Sequence, residues 1–246
     1  MMANAIELHA RKTRGHDARV AHAVALLREA AEDHGGRIVQ ASSLGVEGMV
    51  LTDMIARHQL PIAIATLDTG RLHGETLALI DRIEQHYGRK VEVFRPRQEA
   101  VIQFVRKNGE NAMFESVDLR KGCCEVRKIE PMQRLLAGRS AWVTGLRREQ
   151  SENRKAVPFF EIDAEGREKF YPLADWTEAD VWQYVKTYGV PYNELHDRFF
   201  PSIGCEPCTR AISLGEDHRA GRWWWEQEGA KECGLHALPL RETAVA

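Results

Sequence analysis

The feature that most limits the fold is an alternation of short apolar runs with helix-spaced segments over the first two thirds of the chain. "RIVQAS" (37–42), "PIAIATL" (61–67), "VEVFRP" (91–96) and "AWVTGLR" (141–147) are short, aliphatic and strand-like. Asp17 to Asp33 carries Val20, Val24, Leu27 and Ala31 at helical spacing, and 44–58 and 72–88 repeat that spacing, the last closing at Gly88. Such alternation predicts an α/β fold, a parallel sheet with helices on both faces. Ligands in these sheets sit beyond the carboxyl ends of the strands. The polar stretches "SSLGVEG" (42–48), "DTGRLHG" (68–74) and "GLRREQSENR" (145–154) fall there.

After Tyr171 the character changes. "DWTEADVWQYVKTYGVP" predicts a helix capped by Thr177 with Asp180, stopping at Gly189 and Pro191. A loop-rich tail follows, with three cysteines and three consecutive tryptophans. The expected organisation is an α/β domain over 1–175 and an extension over 176–246 that folds back onto the sheet. At least two of the tryptophans are expected to pack it there.

The 246 residues are 43% hydrophobic and 28% charged with a formal net charge of −2, as for a globular protein without the basic excess of a nucleic-acid binder. No apolar run is long enough for a membrane span, and the first residues lack a secretory signal. A cytoplasmic location is expected, where structural disulfides are rare.

The five cysteines therefore need another explanation. Cys123 and Cys124 are adjacent and poorly placed to bridge each other. Cys205 and Cys208 form a C-x-x-C pair. Four thiolates fit zinc or a 4Fe–4S cluster. A directly adjacent pair suits a single small ion poorly, whereas neighbours can bind separate irons of a cubane. Two other readings stand beside these: buried inert thiols, and a C-x-x-C dithiol without the βαβ context that motif usually has. Lys128, four residues after Cys124, lies on the cysteine side if a helix begins near Glu125; spacing alone favours a solvated surface lysine. Cys233 is left over. It is a nucleophile if its thiolate is favoured by Arg219, Arg222, Lys231 or His236, and an inert thiol otherwise.

Ser42, Ser43, Gly45 and Gly48 join a strand to a helix start, where free N–H groups favour phosphate or sulfate. The loop is neither a Walker A loop nor a dinucleotide fingerprint. Arg147, Arg148 and Arg154 crowd one later loop, and guanidinium forks suit such anions.

"KGCCEVRK", "TGLRREQS", "GCEPCTR", "RAGRWWWE" and "KECGLH", in that order, resemble the assimilatory adenylyl-sulfate reductases within the phosphoadenylyl-sulfate reductase family. The resemblance runs from about Ser42 to His236. It implies a Rossmann-like, adenine-nucleotide α-hydrolase-like sheet and a nucleotide-binding role for the first domain. It implies one 4Fe–4S cluster on Cys123, Cys124, Cys205 and Cys208, with Cys233 as nucleophile in a mobile catalytic tail and Lys128 and His236 beside it in the catalytic set. Ser42, Ser43, Gly45, Glu47 and Gly48 would hold phosphosulfate or ribose, and Leu67, Asp68, Thr69 and Gly70 the adenosine. Arg147, Arg219 and Arg222 would surround the phosphosulfate. The implied activity is reduction of adenosine 5′-phosphosulfate to sulfite and AMP through an S-sulfocysteine, in sulfate assimilation and cysteine biosynthesis. Only thirteen residues follow Cys233, so the expected reductant is a separate thioredoxin or glutaredoxin. The family also implies a homo-oligomer. Two alternatives are a reductase of the 3′-phosphorylated nucleotide and, in a different class, a nucleotide-binding iron–sulfur redox sensor. A tRNA-thiolating enzyme of similar fold would need an S-G-G-x-D-S loop, which "SSLGVEG" is not.

Overall fold

The structure, a computed structural model, describes residues 4–213 and 215–226. Cys233 and His236 lie outside the described residues. In chain order the main elements are α1 (Ala5–His9), α2 (His16–His34), β1 (Ile38–Ser42), α3 (Val46–Arg57), β2 (Ala63–Leu67), α4 (Gly74–Tyr87), β3 (Val91–Phe94), α5 (Gln98–Asn108), α6 (Val117–Cys124), α7 (Glu130–Leu136), β4 (Ala141–Val143), β5 (Phe160–Ile162), β6 (Glu168–Phe170) and α8 (Glu178–Tyr188). A π-helical turn over Glu125–Ile129 makes α6 and α7 one continuous run.

The six strands form one sheet in the order β3-β2-β1-β4-β6-β5. All neighbours are parallel except β5, which runs antiparallel to β6. The expected parallel α/β sheet is therefore present, with a short hairpin added at one edge. Sequence periodicity does not show that hairpin, because each of its strands is three residues long and carries charge. Lys169 in β6 is buried, pairs with Glu161 of β5 at 3.2 Å, and lies 4.6 Å from the centre of the Trp142 ring. A cation normally excluded from a strand core is accommodated by a carboxylate and a π face.

Two apolar layers flank the sheet. One joins α2, α3 and α4 to α8, with Leu27, Ile38, Met49, Ile83, Trp176 and Val181 in a single cluster. The other packs Met132, Leu135 and Leu136 of α7 on Val39, Ala65 and Trp142. Gln40, fully buried in the central strand, donates to the Gly48 carbonyl at 2.7 Å and accepts from the Thr52 hydroxyl at 3.0 Å. That polar tie fixes where α3 starts relative to β1. Among the described residues no helix is long and apolar enough to cross a membrane.

The helix predicted after Asp175 is α8. Thr177 caps it and Asp180 completes the capping box. The Asp180 carboxylate, fully buried, also accepts from His16 at 3.1 Å, Arg19 at 3.0 Å and Thr13. One side chain thus pins the chain before α2 to the start of α8. Burial opposes its charge, but Arg19, Thr13 and Thr177 hold the carboxyl well below the usual range. Asp180→Ala should leave the Arg19 guanidinium and the Thr177 N–H without their acceptor and cost about 3 kcal/mol. Urea unfolding should show a lower midpoint at unchanged slope; an unchanged midpoint would contradict this role.

Candidate active site

The carboxyl ends of β1, β2 and β4 open into a cavity lined on its other side by residues 196–205 and 218–223. Its shape begins with the turn after β1. Leu44 adopts a left-handed backbone, φ 59°, while fully buried, and its N–H donates to the Ser42 hydroxyl at 3.2 Å. A branched side chain in that region stores strain, of the kind found at ligand loops. The turn ends at Gly45, the N-cap of α3, so the first amides of a twelve-residue helix meet the cavity. Gly48 and Gly145 are required for close approach. A Cβ on Gly48 would lie 2.6 Å from the Ser42 hydroxyl, and one on Gly145 would lie 2.8 Å from the Glu47 Cβ.

That close approach is held by a buried ion pair. Arg147 Nε donates to Glu47 Oε1 at 2.9 Å, and its Nη1 reaches Glu149 at 2.9 Å and the Trp176 carbonyl at 3.3 Å. Gln150 adds a second donor to Glu47 at 2.9 Å. Burial opposes the Glu47 charge, yet Arg147 and His218 hold its carboxyl down to about 2. Arg147, expected at the anion, instead spends its guanidinium on the frame and is not among the described lining residues. Arg154 of the same loop is.

Of the other sequence-predicted residues, Ser42, Ser43, Gly45, Glu47, Gly48, Leu67, Thr69, Lys128, Arg219 and Arg222 line the cavity. Asp68 and Gly70 do not. The Asp68 carboxylate instead accepts from Gly70 N–H at 3.0 Å and Arg95 at 2.9 Å, shaping the turn after β2. Gly70 has φ +69°, and a Cβ there would lie 3.4 Å from Arg127. The described lining carries four permanent cations, Lys128, Arg154, Arg219 and Arg222, against one carboxylate already paired, Glu47. Such a balance favours an anionic ligand. Ala41, Ala65, Met132, Leu135 and Trp142 add an apolar wall. Sequence reasoning missed His196 and His218 on the polar side; neither sits in a motif, and only the fold brings them there.

Next to this cavity, Cys123, Cys124, Cys205 and Cys208 line one small pocket with Arg71, Arg120, Arg127 and Lys128. All four cysteines are buried and none forms a disulfide. The helix starts at Val117, capped by Ser116, rather than near Glu125. Cys123 and Cys124 are therefore both helical, and their side chains diverge by about 100°. Cys205 and Cys208 sit in a tight turn, with Cys208 N–H on the Cys205 carbonyl at 3.0 Å. Thr69 lies 3.2 Å from the Cys205 sulfur, and Arg127 donates to the Thr69 carbonyl at 2.8 Å. Burial pushes the Cys208 thiol up to about 12, helped by the neighbouring Cys205. Cys205 moves the other way: burial disfavours its thiolate, but Lys128, Thr69 and the nearby arginines more than compensate. Among the described residues no group of three or more His, Cys, Asp or Glu side chains is placed to hold a metal ion. Lys128 and Cys205 line both spaces, so they form the wall between them.

The tryptophans complete that wall. Trp223 is buried against Cys123, Cys205 and Cys208, with the Arg120 and Arg222 guanidinium groups 4.7 and 4.6 Å from its ring centre. Arg120 forms a buried pair with Glu226 at 2.7 Å. Trp225 packs beside them, as expected of tail-anchoring residues, whereas Trp224 is 40% exposed.

Residues 37–211 match the phosphoadenosine phosphosulfate reductase domain. The chain is 56% identical over 224 residues to the adenosine 5′-phosphosulfate reductase of Burkholderia cepacia, covering 91% of this chain and 89% of that one. It is 56% identical over 200 residues to the protein of the same name from Allochromatium vinosum, covering 81% and 78%. In structure it is similar to the phosphoadenylyl-sulfate reductase of Candida auris in a phosphate complex, with TM-score 0.65, 26% identity, and 80% and 98% of the two chains covered. Candida glabrata FMN adenylyltransferase shares the fold at TM-score 0.55 and 14% identity, over 97% and 84% of the chains.

The Glu47–Arg147 pair makes a pH prediction. The Glu47 pKa falls on folding from 4.5 to about 2, so its stabilisation is complete above pH 4.5 and is lost as pH drops through about 2. Glu47→Gln should be roughly 3 kcal/mol less stable than wild type near neutrality. That gap should narrow as the pH of urea titrations approaches 2. A gap independent of pH would contradict the ion pair.

Proposed function

The chain belongs to the phosphoadenosine phosphosulfate reductase family, and from that premise we propose that it reduces adenosine 5′-phosphosulfate to sulfite and AMP. The observation that carries this reading is the pairing of a cationic cavity at the strand ends with a four-cysteine pocket through the shared wall of Lys128 and Cys205. The adenine lies on the apolar wall around Trp142, Met132 and Leu135. The phosphosulfate lies toward the first turn of α3 and the cations Lys128, Arg154, Arg219 and Arg222. These groups offset repulsion between an anionic nucleophile and an anionic sulfuryl group. Arg147 supports the reaction indirectly, by holding Glu47 and the α3 terminus in place.

The Cys233 thiolate attacks the sulfur of the phosphosulfate. A sulfur–sulfur bond forms, the bond from sulfur to the bridging oxygen breaks, and AMP leaves with that oxygen. The enzyme then carries an S-sulfocysteine. A thiolate of an external dithiol protein, a thioredoxin or glutaredoxin, attacks the Cys233 sulfur and releases sulfite. Its second thiol resolves the mixed disulfide and restores Cys233, so the two electrons come from the dithiol. His236 lies beside this nucleophile in sequence and would favour its thiolate.

Cys123, Cys124, Cys205 and Cys208 would hold a 4Fe–4S cluster. Their fit rests on four buried sulfur donors around one pocket, with an adjacent pair that diverges toward separate metal atoms, and with arginines and Lys128 to balance the charge. Such a cluster would supply a fixed local field and a cross-link between the α6–α7 run and the 205–208 turn. The sulfur chemistry is left to Cys233. The cysteine quartet and the Glu47 carboxylate in the cavity favour the nucleotide without a 3′-phosphate over its 3′-phosphorylated form.

Cys233→Ser should retain the iron and acid-labile sulfide of the wild-type protein, purified without oxygen, and form no sulfite from adenosine 5′-phosphosulfate with a thioredoxin system. Cys205→Ser should lose iron. Sulfite production by Cys233→Ser at the wild-type rate would refute the mechanism. A preparation with zinc and no iron would refute the cluster.

A further inference from the structure

His196 lies in the short turn Glu194–Arg198 after α8, with its ring edge-on to Trp182 at 5.3 Å. It is 7% exposed, and its Nε2 is buried without a hydrogen-bond partner. The same residue lines the nucleotide cavity. A buried ring nitrogen left unpaired costs free energy, and a ligand that pairs it recovers that cost.

The polarity of that nitrogen follows from its surroundings. Burial draws the His196 pKa down to about 4 despite the nearby Glu47 carboxylate, so the ring is neutral at physiological pH; His218 also disfavours the proton. The Phe200 backbone favours a ring proton. A backbone group favours a ring proton only as a carbonyl acceptor, and since Nε2 has no partner that proton belongs on Nδ1. A proton held on that side leaves Nε2 as a lone-pair acceptor. The base takes the apolar wall, built from the α7 face of the sheet, whereas His196 packs with α8 beside Glu47 on the polar side. The nearest donors on a bound nucleotide are then its sugar hydroxyls.

We infer that His196 is a specificity-determining residue that accepts a hydrogen bond from a ribose hydroxyl of the nucleotide through Nε2. A neutral acceptor next to a carboxylate suits a hydroxyl and opposes a phosphate ester on that oxygen. The inference rests on the nucleotide reading of the cavity and adds the group that reads the sugar.

Calorimetric binding of AMP, 2′-deoxy-AMP and 3′-deoxy-AMP to the full-length protein tests it. Wild type should bind one of the two deoxynucleotides roughly tenfold more weakly than AMP. His196→Phe keeps the packing on Trp182 and removes the acceptor; its AMP affinity should fall and its deoxy penalty shrink to about twofold. His196→Asn, which retains an acceptor, should recover part of the discrimination. An undiminished penalty in His196→Phe, or a wild-type protein indifferent to both hydroxyls, overturns the assignment, and the second outcome needs no variant to fold. Failure of wild type to bind AMP at all would instead overturn the functional reading.

Discussion

The site depends on one buried ion pair. Arg147, just beyond β4, and Glu47, in the first turn of α3, bring two strand ends together across the cavity floor. The same guanidinium reaches the Trp176 carbonyl, so the start of α8 is held by the same contact. Gly145 is needed because a side chain there would wedge the pair apart. A buried charge pair is a poor source of net stability, but removing one partner strands the other. Its value here is positional: it sets where the α3 amides and the neighbouring cations face.

The second organising element is the continuous helical run from Val117 to Leu136. Its early part delivers Cys123 and Cys124 to one pocket, and its π-helical turn carries Arg127 and Lys128. Its last part supplies Met132 and Leu135 to the apolar wall of the other cavity. One element thus couples the thiol pocket to the apolar wall of the cavity. π-helical turns recur at functional positions, since the extra residue re-aims the side chains that follow. Lys128, within that turn, stands on the shared wall.

Much of this was legible in the sequence. Strands β1 to β4, helices α2, α3 and α4 and the α8 capping box follow from periodicity and turn chemistry, and the cysteine pattern pointed to a shared site. The edge hairpin was not legible, because Lys169 is a strand residue only through Glu161 and Trp142. Spacing could not reveal that Cys123 and Cys124 belong to a helix already begun at Val117. Arg147 looked like an anion ligand because its loop is basic, yet its partner lies a hundred residues away. His196 carried no local signal at all, since its importance comes from a cavity wall assembled by distant segments.

The proposed mechanism separates the roles of the sulfurs, with four held in the pocket beside Lys128 and Cys233 receiving the sulfonate. The direct test is to incubate the protein with adenosine 5′-phosphosulfate in the absence of any dithiol, digest it, and weigh the peptides. One SO3 adduct is expected on the peptide containing Cys233, with AMP released in equal amount. An adduct on Cys123, Cys124, Cys205 or Cys208, or release of sulfite with no covalent adduct, would contradict it.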